Sequence, residues 1–523
     1  MMNKFYIFKQ EYNYIKNISN IGNVGIYGGT SVIEYLKWFF NCLKFYGRIV
    51  LLDIYKVTRR SLRLLLKREN AILIKIYFQL SKTNFNKVPH RLLWLTLGNL
   101  LLPCHIRKHL PSAEINLVST QFQKDRISNY LGSLAPKMTV FPPKIDTEFF
   151  IIPNKTQRLT ARKRYDIQKG QVNIVYAGRW LVTKGICQLI RSLEIWPNSN
   201  IILTIVGNVD INEKIRCPST NHETFQNYID QEVLRGKKKT HIRFYSAKDK
   251  YGLRELFWSA DLFVYLSTHP DENYGITPRE AMSCGIPVLA TNYGGLQPIT
   301  EYMPWKGVDT YPSYSGARFS IKQFRLLLQK AIGARHLLQD INNRKYVINE
   351  CNPERLKNNL KGAIEYLNKR NIEKPLVKED TENAAFKRIF RKIGNNNYNF
   401  LANSQKSFPN GTYVYGNAPH HYALSLVQGI FTTSPKPPKV TKGSKWRGFF
   451  RISLLEKENA VIEFGFPGPR VKRYSQKKWG LLIKSAHYCK PNEYVFVPIN
   501  DEQISIIQEL VSLGYLVPDD YYL

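Results

Sequence analysis

The chain has 523 residues, 43% of them hydrophobic and 13% aromatic, which excludes a disordered chain and is too long for a single core. A formal net charge of +36 points to anionic surroundings, such as phosphorylated ligands, an anionic membrane surface or nucleic acid, or else to a composition biased toward Lys, Asn, Ile and Tyr. Seven dispersed cysteines without a CxxC exclude a disulfide framework and fit free thiols in a reducing compartment.

In chain order, the first part alternates strand and helix patterns, the mark of an α/β domain with a mostly parallel sheet. A strand near Lys4–Phe8 runs into a loop ending at Gly28-Gly29. A helix is expected from about Ser31, with Ile33, Leu36, Phe40 and Leu43 at helical spacing on one buried face. Next come a strand at Arg48–Ile54, a helix around Thr58–Arg68, a strand at Ala71–Phe78 and an apolar helix over Arg91–Leu102. A strand at Ile115–Ser119, a helix at Gln121–Leu131 and a strand at Met138–Phe141 close this part. The N-terminus lacks the long apolar core of a secretory signal, and no run approaches the roughly 18 apolar residues of a membrane span. A cytoplasmic location is therefore expected.

The second part restarts with a strand at Asn173–Ala177 and a polar turn, Gly178-Arg-Trp-Leu-Val-Thr-Lys-Gly185. A helix, a strand at Ile201–Val206 ending on Gly207, a strand at Ile242–Tyr245, a helix at Leu253–Ser259 and a strand at Leu262–Leu266 follow. Then comes the most informative block, Ser267 to Gly295, read as strand end, loop, helix and strand. It places Glu272 in the loop and Glu280 on the helix, with seven residues between them. Carboxylates beside a helix N-terminus suit a ligand with both hydroxyls and phosphate, since the free amides there favour an anion.

This block resembles the donor-site signature of retaining glycosyltransferases of family four. The resemblance rests on Glu272, Glu280, Ala281-Met282, Gly285-Ile286-Pro287-Val288 and the Gly294-Gly295 turn. It implies the GT-B fold, two Rossmann-like domains facing a cleft. Residues 1–150 would be the acceptor domain, 151–350 the nucleotide-sugar donor domain and 351–375 a helix crossing back to the first domain. Pro142–Phe150 resembles the family's inter-domain segment. Residues 380–523 lie beyond the resemblance, as an α+β extension with a hairpin at Gly448–Leu455 and Ala460–Phe466 and a final helix near Asp501–Leu513. Its basic run Arg470–Lys478 reads as a solvated face or a phosphate contact. The tandem His420-His421 reads as structural, because no partner stands at metal-ligand spacing.

The resemblance implies roles residue by residue. Arg179 and Lys184, beside Gly178, would contact the donor diphosphate; taken alone they read as solvated loop cations. Glu280 would accept hydrogen bonds from the ribose hydroxyls, as a carboxylate suits a diol. Glu272 would hold the transferred sugar and offset positive charge at its anomeric carbon. Gly275 and Ile276 would offer amides to phosphate, Thr277 a hydroxyl, and Pro278 fits a first helical turn. Gly207 and the Gly28-Gly29 pair would line the same site, although an ordinary turn explains Gly28-Gly29 equally well. His269 either touches the sugar or has no role.

One departure from the family stands out. The strand at Ala71–Phe78 runs into Gln79-Leu-Ser-Lys-Thr without the histidine that many members carry there; His90 and His105 lie further on without that context. The expected activity is transfer from a nucleotide diphosphate-sugar, as co-substrate, to a glycan or lipid-linked acceptor. It needs no metal or other cofactor and proceeds with retention. Basic residues Arg59, Arg60, Arg63, Lys67 and Arg68 among leucines, with Arg107, Lys108 and His109 after the apolar Arg91–Leu102 segment, would suit a peripheral enzyme on anionic lipid. An amphipathic core helix explains the first cluster equally. The competing reading is a catalytically degenerate GT-B binding protein whose basic extension holds a protein or nucleic acid. No nucleic-acid motif is visible, and intact Arg179, Lys184, Glu272 and Glu280 weigh against it.

Overall fold

The computed structural model describes residues 3–8, 29–52, 71–75, 91–95, 115–131, 137–194, 200–208, 233–234, 241–269, 272–313, 316–335, 341–369, 439–454, 459–464, 470–490, 493–512 and 516–519. The helix expected at Thr58–Arg68, Gly28, His90, His105, the Arg107–His109 cluster and His420-His421 lie outside these residues.

Six parallel strands form the first sheet. They are β1 (Asn3–Phe8), β2 (Gly47–Leu52), β3 (Ala71–Lys75), β4 (Arg91–Leu95), β5 (Ile115–Val118) and β6 (Lys137–Val140), in spatial order β2-β1-β3-β4-β5-β6. Helix α1 (Gly29–Tyr46) and helix α2 (Gln121–Leu131) belong to this domain. The Arg91–Leu95 run corrects the expectation of a helix: it is a central strand, paired with β3 on one side and β5 on the other. A short, nearly continuous apolar run carries no period that separates strand from helix. The correction also removes the apolar helix on which part of the membrane-surface reading stood.

The second sheet contains β7 (Val172–Ala177), β8 (Ile201–Val206), β9 (Ile242–Tyr245), β10 (Leu262–Tyr265), β11 (Val288–Asn292), β12 (Val308–Ser313) and β13 (Gly316–Phe319). Its order is β13-β12-β11-β10-β7-β8-β9, parallel throughout except for the β12–β13 pair. Strands β7 and β8, with sequences VNIVYA and IILTIV, are buried at every position, as parallel strands covered on both faces must be. The chain builds outward from β7 to β9, then returns to lay β10 on the other side of β7. That reversal opens a crevice at the carboxyl ends of β7 and β10, the place where doubly wound sheets bind ligands.

Helices α3 (Lys155–Arg164), α4 (Ile186–Glu194), α5 (Lys250–Ser259), α6 (Ile276–Ser283), α7 (Gln297–Tyr302), α8 (Ile321–Ala334) and α9 (Ile341–Glu350) complete this domain. Helix α3 is absent from the sequence reading because it has almost no apolar stripe. A capping box starts it, with Asn154 and Gln157 satisfying each other's backbone amides. Arg158 and Arg162 then bind the carboxylate of Asp261 at 2.7 and 2.8 Å, and Asp261 also accepts from the Asn173 amide. Polar contacts dock this helix where apolar burial docks the others.

Helix α10 (Pro353–Asn368) crosses back to the first domain. Leu356, Leu360, Ala363, Ile364 and Leu367 share a core with Phe39, Leu43, Ile115, Leu117 and Phe141. Each fully buried leucine there contributes about 2 kcal/mol. Asn359 donates to the Val140 carbonyl at 3.0 Å. The chain thus passes between the two sheets' domains twice, at 141–150 and at 351–352.

The C-terminal unit is an antiparallel sheet of β14 (Trp446–Leu454), β15 (Asn459–Phe464), β16 (Arg470–Ser475), β17 (Ala486–Lys490) and β18 (Glu493–Phe496), ordered β16-β15-β14-β18-β17, with β19 (Val517–Pro518) on β14. Helices α11 (Gln476–Lys484) and α12 (Asp501–Ser512) share its own core with Trp446 and Phe496. The buried Tyr311 of β12 donates to the Val511 carbonyl at 3.1 Å, joining this unit to the second domain. The basic run Arg470–Lys478 forms edge strand β16 and the start of α11.

Candidate functional site

The turn after β7 and the loop after β10 meet at the crevice. Gly178 donates its amide to the Val206 carbonyl, and Gly207 donates to Tyr245, each at 3.0 Å. A Cβ on Gly207 would stand 1.9 Å from the Gly178 carbonyl oxygen. These two glycines let adjacent strand ends pack backbone to backbone. The 182–184 turn then lies on the β10 loop, with Thr268 donating its amide to Thr183 at 2.7 Å. Gly185, at φ +72°, sits so close to Leu266 that a Cβ would fall 2.4 Å from the leucine's own.

This close approach brings Lys184 to Glu272. The ammonium lies 2.6 Å from Glu272 Oε2 and donates to the Tyr265 hydroxyl at 3.1 Å. Both ions are buried, 7% and 6% exposed. Burial alone would raise the Glu272 carboxyl. The Lys184 charge, hydrogen bonds from Lys184 and Ser267, and the charge of the buried His269 outweigh it, and hold the carboxyl below its usual value. The Tyr265 and Tyr176 phenols, roughly parallel beneath the pair, are pushed up by burial. Arg179 stands close enough for its charge to oppose both shifts, and its carbonyl accepts from the Tyr176 hydroxyl at 2.7 Å.

The depressed Glu272 carboxyl implies a direction for acid stability. Its contribution is complete above the ordinary carboxylate value of 4.5 and is lost as pH falls through the lower folded-state value. Calorimetric unfolding across the acid range is expected to show a falling transition temperature below about pH 4.5. Glu272→Gln is expected to flatten that limb; a variant with an unchanged acid limb would remove this account.

The loop leads into helix α6. Its N-cap is Gly275 at φ +76° and ψ 71°, a left-handed conformation in which any Cβ would also meet Leu296 at 2.4 Å. Glycine offers no side-chain cap, and Pro278 has no N–H, so the amides of Ile276 and Thr277 are the donors that this helix end presents. Thr277 is half-buried, and Glu280 is buried on the same helix. Burial, then the Glu280 charge, raise the Cys284 thiol one turn on. Gly29 opens helix α1. Among the described residues, no group of three or more His, Cys, Asp or Glu side chains stands together in a way that could hold a metal ion.

The two domains touch at this loop. Asn273 donates to the Ser119 hydroxyl, at the end of β5, at 3.3 Å. The loop also has a buried support that residue-by-residue reading of the signature misses. Arg279 is fully buried, and its guanidinium binds both carboxylate oxygens of Glu350, at 2.5 and 2.7 Å. It also donates to the carbonyls of Tyr274 and Gly295. The only signal in the sequence was an arginine directly before Glu280, and its partner lies on a distant helix.

Residues 157–301 match the family described as glycosyl transferases group 1. An uncharacterized glycosyltransferase of Methanocaldococcus jannaschii is 25% identical over 205 residues, 39% of this chain and 45% of that protein. A D-inositol 3-phosphate glycosyltransferase of Paenarthrobacter aurescens is 26% identical over 184 residues, 34% of this chain and 41% of the relative. The chain thus matches less than half the length of these curated relatives. Among solved structures, a sucrose-phosphate synthase from Thermosynechococcus elongatus superposes with a TM-score of 0.49 at 14% identity, covering 70% of this chain and 99% of that one. The Anabaena protein HepE in complex with UDP gives 0.48 at 13% identity, covering 70% and 100%.

Proposed function

We propose, starting from the group 1 glycosyltransferase match over 157–301, that this protein transfers a sugar from a nucleotide diphosphate-sugar to a hydroxyl acceptor. In this reading the reaction retains anomeric configuration, needs no metal, and uses a glycan or lipid-linked acceptor. The observation that carries it is the buried Lys184–Glu272 pair at the β7/β10 switch point, on the same loop as the Gly275 helix start. A carboxylate held ionised there can hold sugar hydroxyls and offset positive charge at the anomeric carbon. Lys184, Arg179 and the amides of Ile276 and Thr277 would neutralise the departing diphosphate. Glu280 would hold the ribose diol. The departing phosphate would take the acceptor's proton, so no other base is invoked. Curated relatives named for glycosyl transfer to inositol phosphate, and one named mannosylfructose-phosphate synthase, support the same reaction class.

The test is release of nucleoside diphosphate from a panel of UDP-, GDP- and ADP-sugars, with glycan and lipid-linked alcohols as acceptors. One donor is expected to turn over. Hydrogen bonds to a charged group are worth about 1.5–3 kcal/mol, so Glu280→Ala is expected to weaken that donor about 10- to 100-fold. Wild type that neither hydrolyses nor binds any of these donors would sink the reading, and would favour the binding-protein alternative with its role in the C-terminal unit.

A further inference from the structure

We propose that Arg279 and Glu350 are positioning residues of the donor site, a buried latch that sets the Tyr274–Gly275 turn and couples it to both chain crossings between the domains. The inference rests on the donor reading above, but its geometry is independent of which nucleotide binds.

The latch is built around one cation. The guanidinium of Arg279 satisfies the Glu350 carboxylate through Nε and Nη2. Its Nη1 donates to the Tyr274 and Gly295 carbonyls, and its carbon lies 3.7 Å over the Tyr274 ring. The Tyr274 hydroxyl closes the circuit by donating to Glu350 Oε2 at 3.1 Å. Arg279 therefore holds both the main chain and the ring of the residue directly before the helix N-cap. Gly295, the other carbonyl it holds, donates its own amide to the Glu272 carbonyl at 2.9 Å. One side chain thus bears on the backbone beside both the helix start and Glu272.

The far side of the latch reaches the hinge. Cys351 follows Glu350, and its Sγ lies 3.1 Å from the Tyr274 hydroxyl and 3.7 Å from the Pro143 carbonyl. Pro143 belongs to the first crossing. Asn352 caps α10, the second crossing, by accepting from the Arg355 amide at 3.0 Å, and the Arg355 guanidinium donates back to the Glu350 carbonyl. A shift of the donor loop must move Glu350 and Cys351, and with them both connections.

A buried ion pair is weak evidence for stability, because two apolar side chains of similar volume often fill its place without loss. Such a pair would not hold the Tyr274 and Gly295 carbonyls. That difference separates positioning from support. The experiment compares wild type, Arg279→Lys and the double variant Arg279→Leu/Glu350→Leu. Amide hydrogen exchange is read in the ligand-free proteins over 272–278 and 293–297, and UDP, GDP and ADP affinities are measured by calorimetry. In the double variant we expect exchange about tenfold faster in these segments and affinity for the preferred nucleotide about tenfold weaker or worse. Arg279→Lys, with the charge but not the fork, is expected to fall between; it carries the test if the double variant does not fold. In wild type, nucleotide binding is expected to slow exchange at 143–145 and 350–352 as well, and the variants are expected to lose that transmitted protection. Folded variants with unchanged exchange and affinity would overturn the proposal. Wild type that binds none of the three nucleotides would overturn the donor reading alone, while the exchange data still decide whether the latch sets the loop.

Discussion

Lys184→Met is expected to be both inactive and markedly unstable, whereas Lys184→Met/Glu272→Gln is expected to be inactive but nearly as stable as wild type. The single substitution strands a carboxylate that is 6% exposed and whose charge is balanced in the wild type by an ammonium 2.6 Å away. Removing one partner of a buried pair costs about 3–5 kcal/mol, because the other charge is left without compensation. Neutralising both removes most of that cost. Activity behaves differently. A group that stabilises the transition state by charge is worth on the order of 10²–10³ in turnover, and the two residues act as one constellation. The double variant should therefore be no slower than the worse single variant. Urea unfolding gives the stability of Lys184→Met, Glu272→Gln and the double variant, and nucleoside diphosphate release gives the rates. Full activity in Lys184→Met would show that the pair is structural, and would take with it the observation on which the function rests.

That pair was only half legible in the sequence. The glutamate spacing and the glycine turns marked Glu272, Glu280 and the loop after β7. Nothing in the spacing said that Lys184 would meet Glu272 rather than stand beside it, because the meeting depends on Gly185 resting against Leu266. Long-range packing of this kind carries no local period. The same limit explains Arg279 and Glu350, 71 residues apart and bound through two hydrogen bonds. In the fold, the parallel strands declared themselves as apolar runs bounded by turns. Two of the departures from the expected elements come from segments where periodicity is uninformative. Arg91–Leu95 is apolar at nearly every position, so a central strand and a buried helix look alike. Lys155–Arg164 is polar at nearly every position, so a helix docked by Asp261 looks like a linker.

The charge of +36 takes a different meaning with the structure present. Several cations are committed to the fold: Arg158 and Arg162 to Asp261, Arg279 to Glu350, and Lys184 to Glu272. The excess that remains raises the local concentration of anionic ligands without specifying any one of them. On the proposed reading, specificity would come instead from backbone geometry at the crevice, where a few contacts leave no slack.

Gly295→Ala tests that slack directly, and its effect is expected to rival the loss of Lys184. A Cβ at this position would stand 1.9 Å from the Asn273 carbonyl oxygen, 2.0 Å from its carbon and 2.4 Å from the Tyr274 nitrogen. All three are backbone atoms, so no rotamer change relieves the overlap, and the 294–296 turn must lift from the 272–274 loop by about 1 Å or more. That lift stretches the Gly295 amide to Glu272 carbonyl bond and pulls on the Arg279 contact to Gly295. Misplacement on this scale costs on the order of 10²-fold in rate, and overpacking of this kind costs about 1–3 kcal/mol in stability. Gly333→Ala is the matched control. It lies within α8 with nothing within 4 Å of the added carbon, and is expected to be neutral or to stabilise by up to about 1 kcal/mol. Urea unfolding and donor turnover on both variants give the answer. Wild-type turnover in Gly295→Ala would mean that the loop yields without moving Glu272, and that the strap of 294–296 does not set the site. A variant with near-normal stability and turnover lowered a hundredfold would locate the function in the position of that loop, held between Lys184 on one side and Arg279 on the other.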